Sequence, residues 1–90
     1  MNPLRPAVQR FALAIEAAMA RNEHKPDWHD EGHGAILAKL DEEVAEVHQE
    51  LTRPHDPARI QSEAADVGAV VCMLWDMASP SPTSNRGRNP

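Results

Sequence analysis

An all-α fold follows from three observations. Apolar residues recur at helical spacing in three segments, and proline-rich or polar clusters separate those segments. The core material is Ala, Val, Leu, Ile and Met, with Phe11, Trp28 and Trp75 as the only aromatics, which suits helices packed closely together.

The first helix opens at Asn2-Pro3 or Arg5-Pro6, since proline is tolerated in a first helical turn. Val8, Phe11, Ala12, Ile15 and Met19 make its apolar face, and the pattern runs to about Asn22. The segment Asn22–Gly32 interrupts it. Pro26 disfavours helix at Lys25, and the surrounding residues are polar. Within this loop Lys25 and Trp28 place a cation near an aromatic plate, readable either as a substrate-facing pair or as a helix-end cover with a solvated lysine.

A second helix begins near Asp30 to His33 and runs to about Leu51, stopped by Thr52-Arg53-Pro54. Ile36, Leu40, Val44, Val47 and Leu51 form its apolar stripe. At about 100° per residue, Lys39, Glu43, Glu46 and Glu50 form a second stripe on one flank, while Glu42 points away. Asp56-Pro57 is a helix-start signal, an N-cap acid followed by proline. The third helix carries Ile60, Glu63, Val67, Val70, Leu74 and Met77 on one face. Asp66 is its only charged side chain between Ala64 and Trp75, so it is apolar nearly all round. Such a helix is buried on most sides. Two further helices from so short a chain hardly enclose it, which predicts partner subunits.

The ninety residues thus divide into one domain, 1–78, and a tail, 79–90, with neither a large apolar group nor an acid. The tail reads as disordered, although Arg86 and Arg88 within it can also be read as folding over a bound polyphosphate. No cationic start precedes an apolar run, and the longest apolar stretch, Val67 to Trp75, is about half of the roughly 20 residues a bilayer span needs. The single Cys72 allows no internal disulfide. These features predict a cytoplasmic protein without a membrane partner. A net charge of −5 and a pI near 5.4 argue against polymeric nucleic acid, but not against one nucleotide carried with a cation.

The chemistry concentrates in two acid pairs, Glu43/Glu46 and Glu63/Asp66. Carboxylates at i and i+3 project from one side of a helix. Two such pairs on adjacent helices supply four oxygen donors and leave positions open for water and substrate. That arrangement suits Mg2+, with Mn2+ as its substitute. The competing reading of Glu42, Glu43, Glu46 and Glu50 is a solvated face. It serves Glu63 and Asp66 less well, because a buried carboxylate must find a cation or become neutral. Arg59, one turn before Glu63, is the only cation near them in sequence. A di-iron bundle needs Glu-x-x-His, which none of the five histidines provides. Clustered Cys/His for zinc is also missing.

Glu42-Glu43-x-x-Glu46 followed, after residues 47–62, by Glu63-x-x-Asp66 resembles the signature of the MazG-like all-α nucleoside triphosphate pyrophosphohydrolases. The loop Asn22-x-His24-Lys25-x-x-Trp28 is similar to one in small stand-alone members. The resemblance implies a Mg2+-dependent enzyme that cleaves a nucleoside triphosphate between its α and β phosphates. It implies Glu43, Glu46, Glu63 and Asp66 as metal ligands, Glu42 as an accessory acid and Arg59 as a phosphate contact. Glu43 or Glu46 then serves as the catalytic carboxylate, with Lys25, Trp28 and Lys39 beside the substrate. It also implies a homodimer or homotetramer, in which the acidic helix pair completes a four-helix-bundle-like core. Family members often carry Asn or an aromatic after the last acid, where this chain has Gly68, Ala69 and Val70; base recognition is then left to Trp28. Phosphoribosyl-ATP pyrophosphohydrolase has similar acid helices, but its usual Ser-Tyr-Thr segment is absent and the chain has no tyrosine. A non-catalytic helical oligomerisation module is the reading from a different class.

Overall fold

The computed structural model describes residues 3–22, 30–53 and 56–78. They form three helices, α1 (Pro6–Arg21), α2 (Gly32–Leu51) and α3 (Pro57–Ala78), with no strand among the described residues. The expected tail at 79–90 lies outside them.

Local chemistry accounts for the helix ends. Pro6 sits in the first turn of α1, where a missing N–H costs nothing, so α1 starts from Arg5-Pro6 and not from Asn2-Pro3. Gly32 opens α2 at φ +86, a conformation that glycine adopts without a Cβ penalty. The α2 terminus closes on Thr52, whose N–H donates to the carbonyls of His48 and Gln49 at 3.2 Å. At α3 the Asp56-Pro57 signal is realised: Asp56 Oδ1 accepts from the Ala58 N–H at 3.1 Å, with Pro57 as the first helical residue.

The α3 helix is central. It packs antiparallel to α2 on one side and to α1 on the other, while α1 and α2 scarcely meet. Small residues make this possible. Ala65, Ala69 and Val70 of α3 are buried, as are Ala18 of α1 and Ile36 of α2. A Cβ on Gly68 would stand 2.6 Å from the Phe11 ring and 3.0 Å from Ile15, so the absent side chain is what lets α1 approach.

Each flanking helix is turned from the angle its apolar stripe predicts. On α2, Ile36 is buried and Leu40 and Val47 half-buried, but Val44 and Leu51 are exposed. In their place Glu43 is half-buried and Glu50 buried, so α2 meets α3 partly through its acidic flank. The physical reason is a cation on α3 that makes burial of one acid tolerable, described below. On α1 the seat is made by Ala14, Ile15, Ala18 and Met19, leaving Val8 and Phe11 exposed.

Two neighbours do not cover α3. Val71 remains 47% exposed and Trp75 72%, along an open apolar groove of about 620 Å³ between α1 and α2. Phe11 and Ile15 line one wall, Val44 and Val47 the other. Among the described residues no helix is long and apolar enough to cross a membrane.

Candidate metal centre

Antiparallel pairing of α2 with α3 sets the acidic stripe of one helix against Arg59, Glu63 and Asp66 of the other. Glu50 meets Arg59, Glu46 meets Glu63, and Glu43 meets both Glu63 and Asp66. Only the first of these levels pairs opposite charges. The next two put like charges together, an arrangement a fold selected for stability alone avoids.

Carboxylate oxygens of Glu43, Glu63 and Asp66 lie within 4.8 Å of one another. Opposed ligands on a Mg2+ ion stand about 4.1 Å apart, twice its usual oxygen distance, so small rotamer adjustments bring the three onto one hard cation. Oε1 of Glu43 and Oε1 of Glu63 are sealed from solvent and have no hydrogen-bond partner among the described residues. Orphaned acceptors on two different helices, converging with a third acid, are what a cation would satisfy.

The electrostatics agree. Burial, first, and then the charges of Glu46, Asp66 and Glu63 hold the Glu43 carboxyl above the ordinary glutamate range. Glu63 is raised by burial, then by its hydrogen bond to Glu46 and by the charges of Glu46 and Asp66, with Arg59 opposing. Both shifts favour the neutral form of a carboxyl that no cation meets.

The residues singled out in the sequence separate into groups. Glu43, Glu63 and Asp66 converge. Glu46 is exposed and lies beside them, against Glu43 and Glu63 but outside the set within 4.8 Å. Glu42 is exposed, as its helix angle predicts. Lys39 is half-buried one turn before Glu43 on the same stripe. Lys25 and Trp28 lie outside the described residues, so their expected place beside the substrate has no structural counterpart here.

The cations that meet these acids are set by the docking of the helices. Arg59 of α3 pairs with Glu50 of α2 at 2.9 Å, and not simply with Glu63 on its own helix. Asp66 has a base after all: Arg21, at the end of α1, donates to its Oδ1 at 3.3 Å. No local signal marks that contact, because 45 residues separate the partners and only the docking of α1 joins them.

No family model, curated protein or solved structure matches the chain.

Proposed function

We propose that the chain is a Mg2+-dependent nucleoside triphosphate pyrophosphohydrolase, with Mn2+ as an alternative ion. The observation that carries this reading is the convergence of Glu43, Glu63 and Asp66 with two sealed, unpartnered oxygens. A divalent ion in this site screens phosphate charge and makes a nearby water more acidic. The residues of the chain do the rest. Glu43, Glu63 and Asp66 hold the ion, and Arg59 meets phosphate oxygens at its edge. Glu46, exposed yet in contact with Glu43 and Glu63, orients the attacking water and takes its proton. Water oxygen bonds to the α-phosphorus as the bond to the α–β bridging oxygen breaks, and pyrophosphate leaves with that electron pair. Lys39, one turn from Glu43, is a further cation for the phosphates.

The same reading includes assembly. A homodimer or homotetramer, in which a helix of a second copy fills the groove over Val71 and Trp75, completes a four-helix-bundle-like core. The groove also favours the second reading, a non-catalytic helical oligomerisation module, since apolar burial alone drives assembly without any use of the acids.

Pyrophosphate release separates the two. With Mg2+ and a panel of ribo-, deoxyribo- and damaged nucleoside triphosphates plus phosphoribosyl-ATP, at least one substrate is turned over. Glu46→Gln lowers kcat by about a hundredfold or more, at the lower end of what general-base catalysis contributes, and Asp66→Asn abolishes turnover by weakening the hold on the ion, while circular dichroism stays unchanged in both. Absence of turnover and of Mg2+-dependent stabilisation in the wild type would leave the oligomerisation module.

A further inference from the structure

Glu50 is the one charged side chain that is buried among the described residues, at 4% exposure, and it lies outside the metal cluster. Its Oε2 accepts from Arg59 Nε at 2.9 Å, and Arg53 Nη1 stands at 4.0 Å from the same oxygen. The burial is one-sided: the Glu50 side chain is 6% exposed, that of Arg59 59%. A guanidinium has five N–H donors in a rigid fork. Held through Nε, Arg59 keeps its orientation, and its two terminal amino groups have no hydrogen-bond partner among the described residues. Arg59 also precedes Glu63 by one helical turn on the same face, which puts those donors at the margin of the cluster.

An ion pair that only fastened α2 to α3 has no need of this asymmetry. Presentation of a cation does need it, because the acid must be consumed at one edge of the fork and the other edge left open. We propose that Glu50 is a positioning residue, holding Arg59 by Nε so that its terminal amino groups remain free for the phosphate oxygens of a polyphosphate bound at the Glu43–Glu63–Asp66 cluster. The inference rests on the metal-centre reading above and adds to it a residue that touches neither ion nor substrate.

Calorimetric titration of the full chain with Mg2+ alone, and then with inorganic pyrophosphate in Mg2+, tests it. Arg59→Gln weakens Mg-pyrophosphate binding about tenfold, the scale of one charged hydrogen bond, and leaves Mg2+ binding unchanged. Glu50→Leu, similar in bulk, weakens pyrophosphate severalfold in the wild-type background and has no further effect in the Arg59→Gln background. Glu50→Gln, whose amide oxygen still accepts from Nε, restores most of the affinity. Arg59→Lys keeps the charge without the fork and binds as weakly as Arg59→Gln, a comparison that survives even if Glu50→Leu fails to fold. The inference is overturned if Glu50→Leu lowers the melting temperature and leaves pyrophosphate affinity intact, if its effect is the same with and without Arg59, or if Arg59→Lys binds like the wild type. In each of these cases the wild type still binds Mg2+ and pyrophosphate, and the metal-centre reading stands. A wild-type chain that binds neither overturns both.

Discussion

A carboxylate half-buried beside three others is stable in one of two ways: it keeps a proton or it acquires a cation. At Glu43 and Glu63, burial and neighbouring acids favour the protonated form, raising both above the ordinary value of 4.5. A raised carboxyl contributes stability that is fully present below its unfolded value and is lost as pH rises through the folded one. The ion-free chain is therefore expected to lose melting temperature as pH is raised from about 4.5 through the folded titration of these two groups. Glu63→Gln, which cannot ionise, flattens that loss and raises the ion-free melting temperature at pH 7. In the wild type Mg2+ recovers the lost stability, and in Glu63→Gln it recovers less. Scanning calorimetry in chelator and in Mg2+ reads all three; an ion-free wild type that gains stability over that range would contradict the repulsion. The individual acids were legible from their spacing. The pairing of acids with cations was not, since Arg21 reaches Asp66 only through the docking of α1, and Arg59 chooses Glu50 over its own helix only once α2 lies opposite.

At the scale of the helix, sequence signals were most informative at the ends. Asp56-Pro57 starts α3 as predicted, and the cap bond from Ala58 shows why. Asp56→Ala is expected to destabilise the chain by about 1 kcal/mol, the usual worth of an N-cap side chain, measured by urea unfolding. Because this cap also sets where Arg59 and Glu63 fall along α3, a larger loss of Mg2+ affinity than of stability would show that the cap serves the site. Faces were less legible than ends. Val44 and Leu51 fit an inward stripe by periodicity, yet Glu43 and Glu50 point more deeply inward. Periodicity ranks side chains by hydrophobicity and omits the partner that lies across from them. Burial of Glu50 is tolerable because Arg59 stands opposite, and that fact belongs to the pair of helices.

For the whole molecule, the unanswered area is the apolar groove. The all-round apolar character of α3 predicts burial on most sides, and within one chain Val71 and Trp75 remain exposed. Light scattering is expected to give a dimer or tetramer, and Trp75→Glu to shift it toward a monomer of lower melting temperature. A wild-type chain that stays monomeric and stably folded at high micromolar concentration would rule out assembly through this face. Gly68 belongs to the same surface, since its missing side chain brings α1 close enough to form one wall of the groove.

The sequence alone determined the helices, the Asp56 cap of α3 and the two acid pairs, because 3.6-residue periodicity and capping chemistry act over a few residues and leave a local record. Tertiary structure decided which acids converge, which arginine answers which acid, and how much of α3 stays uncovered. Those outcomes depend on the rotation of each helix about its axis. That rotation is set by small residues at the contacts and by charge pairing between segments far apart in the chain, and neither is written into any single segment.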